Sequence, residues 1–330
     1  MKDPFLIHGT SDGIQELLPM TEPSLHINLG GLAMKNPVTV ASGTFGYGSE
    51  YGHYFDVSLL GAVTVKSLSL KPRPGNRPPR ISETPAGMLN AIGLQNVGID
   101  VYLKEKLPYL REKNCTIIAN IYGYSPEEYA ELAQRLEKEG GADALEANLS
   151  CPNVHDAKNT CGPALVAQSP QRVKEYTETI RAATSLPLYI KLSPNVADIR
   201  EPALAAQEGG ADAVALINTL LGMNIDVETR KPCLSNIVGG LSGPAIRPVA
   251  VKMVWDAARV LNIPVLGMGG IYTADDAIQF LLAGATAVAV GCASFRRPDA
   301  ALQVIRGMRD YCIRHGIEDI QKLTGALRLQ

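Results

Sequence analysis

The chain has 330 residues, of which 46% are hydrophobic but only 5% aromatic, and 31 basic residues nearly balance 33 acidic ones for a net charge of −2. Both signs are scattered along it, so no basic stripe points to nucleic acid and no acidic run to a solvating tail. No apolar run approaches the ~20 residues that cross a bilayer, and a core of Val, Ile, Leu and Ala suits parallel strands covered by helices.

The N-terminus, "MKDPFLIHGTSDGIQELLPMTEPSLH", carries charges and prolines where a signal peptide would have its apolar stretch. Residues 1–24 therefore read as an extension and 25–330 as one domain. Short β-branched or apolar runs follow at 37–42, 62–67, 116–121, 144–150, 188–193, 213–219, 264–270 and 287–291. Helix-like stretches lie between most of them. "SPEEYAELAQRLEKEGG" and "SPQRVKEYTETIRAATSLP" both open with Ser-Pro, an N-cap followed by proline at the first helical position. In the first, Tyr129, Leu132, Ala133 and Leu136 recur at helical spacing, and a glycine pair ends the run.

Strand followed by helix, eight times without a flexible linker, predicts a single-domain (β/α)₈ TIM barrel. Two insertions break the spacing: "SLKPRPGNRPPR" (69–80) with the "ISETPAGMLNAIGLQN" that follows, and residues 220–243. On this fold long connections are usually functional loops over the C-terminal face.

The predicted strand exits carry Ser42, Lys66, Asn120, Asn148, Lys191, Asn218 with Thr219, Gly269 with Gly270, and Gly291. Polar or glycine residues at every exit imply a ring of hydrogen-bonding groups at the barrel's C-terminal face, where barrel enzymes keep their chemistry. Runs seven and eight end in "GMGGI" and "VGCAS". Glycines there let backbone N–H groups approach an anion, which makes these two loops a candidate phosphate site.

Within "EANLSCPN", Pro152 ends the strand by removing a ladder donor, so Cys151 sits where a strand opens into a loop. The other cysteines are Cys115, Cys161, Cys233, Cys292 and Cys312. None forms C-x-x-C and none has histidine at zinc spacing, so no metal or iron–sulfur centre is expected in this chain. Thiols without a disulfide pattern point to a reducing compartment, the cytoplasm. His155, four residues past Cys151, suggests a Cys–His hydrolase pair, but no other part of such a site is visible and an exposed loop histidine is the better reading.

"ASGTFG", "TVKS", "NAIGLQN", "NLSCPN", "IKLSPN", "INTLLGMNID", "GGLSGPAIRP", "GMGGI" and "AVAVG" together resemble class 1 dihydroorotate dehydrogenases, most closely the NAD-linked class 1B. The likeness runs in order from about Ile27 to about Phe295. It implies oxidation of (S)-dihydroorotate to orotate in de novo pyrimidine synthesis, with one FMN across the barrel mouth. Matching the family's flavin positions are Ser42, Lys66, Ser67, Asn120, Asn148, Lys191, Ile217, Gly243, Gly269, Gly270, Gly291 and Cys292. Lys66, Asn90, Ala91, Ile92, Gly93, Leu94, Asn148, Asn218 and Thr219 match the pyrimidine positions, and Cys151 the catalytic base.

The chemistry accounts for these types. A thiolate can take a weakly acidic C5 proton, asparagine amides suit an imide and a carboxylate, and Lys191 offsets charge on the reduced ring. The resemblance further implies a partner subunit with FAD and a [2Fe–2S] cluster that carries electrons to NAD⁺. It also implies a homodimer of barrels within a heterotetramer. Two departures stand out: "VHDAKNTCGPALVAQSPQ" replaces the family's glycine-rich loop after "SCPN", and Cys292 stands where threonine is usual. The alternatives are a dihydropyrimidine dehydrogenase-like flavin subunit and a fumarate-linked class 1A enzyme. A tRNA-dihydrouridine synthase should show a basic face, and a flavin-binding scaffold would not be bleached by dihydroorotate.

Overall fold

The computed structural model describes residues 22–150 and 166–329. Most of the predicted extension, together with Cys151, His155 and Cys161, lies outside the described residues.

Eight parallel strands form the centre: β1 (Val38–Val40), β2 (Val63–Leu68), β3 (Ile117–Ile121), β4 (Ala144–Asn148), β5 (Leu188–Lys191), β6 (Ala213–Leu216), β7 (Val265–Met268) and β8 (Ala287–Val290). They neighbour one another in the order β1-β8-β7-β6-β5-β4-β3-β2, so each strand lies beside its sequence neighbour. The seam between β1 and β2 is closed by the Gly61 amide donating to Val38 O at 2.9 Å and by a 2.9 Å bond between the Thr39 and Thr64 hydroxyls. The result is the predicted TIM barrel. Six of the strands end one to three residues short of their sequence runs, where the chain leaves the ladder at the mouth, while β3 ends with its run and β2 runs one residue past it.

The helices follow the sequence logic closely. Ser125 and Ser169 accept bonds from the Glu128 and Arg172 amides, capping helices Pro126–Lys138 and Pro170–Ala182. The first buries Tyr129, Leu132, Ala133 and Leu136 against the barrel. Leu132 and Leu136 are fully buried, each stabilising the packing by about 2 kcal/mol.

At the N-terminal end of the barrel, the antiparallel pair Ile27–Leu29 and Leu32–Met34 closes the bottom, where Tyr189 donates its hydroxyl to Leu29 O at 2.7 Å. At the other end the two insertions meet. Ile81–Thr84, Gly87–Asn90, Val238–Ser242 and Leu220–Met223 form one antiparallel sheet, with Gly240 paired to Asn90 and Leu221 to Gly240. Leu89, Ala91 and Leu234 make a small separate core beneath it. The segments expected as loops are thus a built roof over the mouth.

Candidate active site

Alternation along the strands sets the floor of the site. In β4, Ala144, Glu146 and Asn148 share a face, as do Tyr189 and Lys191 in β5. Asn120 stands in register with Glu146, and Asn148 with Lys191. Inside the barrel these residues form a continuous chain of polar contacts. Ser67 Oγ donates to Asn120 Oδ1, Asn120 Nδ2 donates to Glu146 Oε1 at 2.5 Å, and Lys191 Nζ lies 3.4 Å from the same oxygen. Lys191 also donates to Ser42 Oγ at 3.2 Å. Five strands or their exits contribute one residue each.

Above this floor lies a cavity of about 360 Å³ bounded by the strand ends and the roof sheet. Its wall includes Ser42, Lys66, Ser67, Asn90, Ile92, Gly93, Leu94, Asn148, Lys191, Ile217, Asn218, Thr219, Gly243, Gly269, Gly270, Gly291 and Cys292. Lys66 and Ser67 are sequence neighbours that would face opposite ways in a regular strand. Both reach the cavity because the pairing of β2 with β3 slips between Val65 and Leu68.

Among the described residues, two predicted ones fall outside that wall. Asn120 is fully buried and donates to Glu146. Ala91 is 1% exposed and turned into the small core under the roof. Alternation explains it: Asn90 faces the cavity, so its neighbour faces away.

At one end of the cavity the asparagines are held by each other's neighbourhood. Asn218 Nδ2 donates to Ser150 Oγ at 2.7 Å, and that hydroxyl donates to Asn148 Oδ1 at 2.9 Å. Asn195 Nδ2 holds Thr219 O at 3.1 Å, and Asn90 Nδ2 donates to Gly240 O at 3.3 Å. Lys66 is the cation here. Burial pushes its pKa below the usual lysine value, and the nearby Arg80 guanidinium pushes it the same way.

The opposite end is lined by backbone. Gly269 and Gly270 have φ of +130° and +74°, and a Cβ on Gly270 would stand 2.7 Å from Gly243 O. Only glycine fits there. Gly291 differs, since a Cβ on it would meet nothing closer than Ala41 Cβ at 3.5 Å. Cys292 is buried, and its sulfur lies 3.5 Å from the Tyr272 hydroxyl.

Glu146 and Arg80 escaped the sequence reading. The signal for Glu146 was present: an acidic residue two positions before Asn148 in a strand otherwise apolar. Arg80 carried no periodic signal, because it sits at the edge of an insertion; it donates to Gln95 Oε1 at 2.5 Å and lines the cavity beside it. Among the described residues, no three His, Cys, Asp or Glu side chains gather as a metal site.

A closed barrel with a polar interior floor, a cation at one end of its mouth and exposed backbone at the other has the layout of a TIM-barrel enzyme. The family model for dihydroorotate dehydrogenase matches residues 24–311, and the chain belongs to that family. It is 53% identical over 306 residues to the dihydroorotate dehydrogenase B (NAD(+)) catalytic subunit of Trichlorobacter lovleyi, covering 93% of this chain and 99% of that protein. It is 47% identical over 306 residues to the protein of the same name from Thermoanaerobacter sp. strain X514, with the same coverage. A crystal structure of DHODH from Eimeria tenella in complex with ferulenol superposes with a TM-score of 0.76 at 25% identity, covering 94% of this chain and 90% of that one.

Proposed function

We propose that this chain is the catalytic subunit of an NAD-linked dihydroorotate dehydrogenase, oxidising (S)-dihydroorotate to orotate in pyrimidine synthesis. The observation that carries the reading is the joining of two unlike ends in one cavity: a cluster of asparagines with Lys66 at one, and glycine backbone at the other.

The cavity suits FMN. A Cβ at Gly291 would meet only ordinary contacts, Ala41 Cβ at 3.5 Å and Thr44 Cγ2 at 3.9 Å, so protein packing does not demand this glycine and a closely bound ligand would account for it. Lys191 has three N–H donors, and Ser42 and Glu146 engage two. The third is available to a ring lying on the floor. Bound there, FMN would supply the acceptor for the hydride that leaves C6. Backbone N–H groups near Gly270 and Gly291 would hold its phosphate.

The chain's own residues would do the rest. Asn90, Asn148 and Asn218 offer paired donors and acceptors to the imide and carboxylate of the pyrimidine, and Lys66 attracts the carboxylate. Cys151, one residue past the buried Ser150, takes the C5 proton. A thiol with a reference pKa near ~8.5 suits this task once its thiolate forms. Electrons then pass to NAD⁺ through a partner subunit carrying FAD and a [2Fe–2S] cluster, in an assembly built on a dimer of barrels.

Anaerobic titration of the purified chain tests this. Dihydroorotate should bleach the flavin absorption band stoichiometrically and orotate should perturb it. A colourless protein, or a yellow one indifferent to dihydroorotate, would overturn the reading.

A further inference from the structure

Resting on the reading of the cavity as a flavin site, we propose that Glu146 sets the reduction potential of the bound flavin by acting as a fixed counter-charge behind Lys191. No cavity-facing role is open to it. Glu146 is 1% exposed and absent from the cavity wall, whereas Lys191, which it touches, lines that wall.

Stability does not account for this carboxylate. Its Oε1 takes both contacts, from Asn120 and Lys191, and Oε2 has no hydrogen-bond partner among the described residues. A half-satisfied carboxylate at such depth is costly, and an apolar side chain of similar size usually packs as well as a buried ion pair. The surrounding groups nevertheless hold it in place. Ser67 donates to the Asn120 carbonyl oxygen, which fixes that amide with its nitrogen toward Glu146. The charge therefore has one position.

The sign of its effect follows from electron and proton counting. Dihydroorotate gives up a hydride from C6 and a proton from C5. The ring gains two electrons and one proton, hence one net negative charge, and the C5 proton goes to the base. Lys191 alone would stabilise that added charge. Glu146 opposes it from one layer below, so the reduced ring is stabilised less and the potential stays more negative. That direction favours onward transfer of both electrons to NAD⁺, a weak oxidant.

The test is the midpoint potential of the FMN-loaded chain, titrated with a chemical reductant against reference dyes and without dihydroorotate. Glu146→Gln keeps the size and the bond to Asn120 while removing the charge. Its midpoint should move to more positive values, with affinity for oxidised FMN changed less than about threefold. Glu146→Asp, which keeps the charge but draws it back by one methylene, should fall between native and Gln and covers the case in which Gln loses the flavin. A yellow variant of either kind with the native midpoint would overturn the proposal. Native yellow protein that dihydroorotate fails to bleach would overturn the functional reading instead, since the midpoint needs no substrate.

Discussion

Under the proposed function Cys151 takes a proton and Lys66 attracts a carboxylate, and each role would leave a separate kinetic trace. If Cys151 is the proposed base, replacing it with alanine removes the proton acceptor. Flavin reduction by dihydroorotate should fall by about 10²–10⁴-fold, while FMN content and orotate affinity persist. Rapid-mixing absorbance at the flavin band measures this, and near-native reduction by Cys151→Ala would assign the proton to another group. Lys66 should be read through pH. Because burial and Arg80 depress its pKa, it loses its proton below the pH at which a free lysine does. Orotate affinity should therefore weaken as pH rises through that lowered value. Stability runs the other way in the same window: the unfolded chain binds the proton more tightly, so folding gains as pH rises. Lys66→Met should abolish the pH dependence and weaken orotate by about 10–100-fold, the equivalent of one charge-assisted hydrogen bond. Strand-end polar residues such as Lys66, Asn148 and Lys191 were legible because a buried parallel strand leaves no other reason for them. Asn120 was legible as polar, but its bond to Glu146 was not, since sequence gives the face of a strand and not which neighbour its side chain meets.

The strands and helices of the barrel announce themselves locally, through Ser-Pro caps and apolar periodicity, and the roof sheet does not. Gly87–Asn90 pairs with Val238–Ser242 across some 150 positions of sequence, a contact that no local pattern encodes. Its strands are short and its composition rich in glycine and proline, so both insertions read as loops. The roof and the barrel end at β8 hold different ends of the cavity, which makes them separable by mutation. A Cβ on Gly240 would stand 2.0 Å from the Thr219 hydroxyl, so Gly240→Ala must displace Thr219 in the cavity wall, at the end proposed for the pyrimidine. Turnover should drop on the order of 10²-fold, as for a displacement of about an ångström at a reacting centre, with FMN retained. At Gly291 an added Cβ meets Ala41 and Thr44 only at ordinary contact distance, so Gly291→Val, at the end proposed for the phosphate, should yield folded, colourless protein. Circular dichroism and flavin content distinguish the two outcomes, and loss of FMN in Gly240→Ala alone would reverse the assignment of ends.

Taken as one molecule, the barrel holds a cavity of about 360 Å³ beneath a roof that both insertions build. Nothing in the sequence offers a second nucleotide site: no G-x-G-x-x-G follows a strand at a helix start, and the six cysteines show no spacing for a cluster. Among the described residues no helix is long and apolar enough to cross a membrane, which gives no support to a quinone acceptor reached through a span. Under the proposed function, electrons from dihydroorotate would reach NAD⁺ through a second protein. The relatives in Trichlorobacter and Thermoanaerobacter are themselves named as catalytic subunits. Mixing purified chain, dihydroorotate and NAD⁺ should bleach the flavin once and then stall, with NADH forming only after an electron-transfer subunit is added. Continuous NADH production by the chain alone would refute the partner requirement. Fast turnover with fumarate as acceptor would instead place the chain with the fumarate-linked enzymes. The Glu146 charge bears on the same choice, because a flavin held at low potential can drive NAD⁺ reduction whereas fumarate asks for no such restraint.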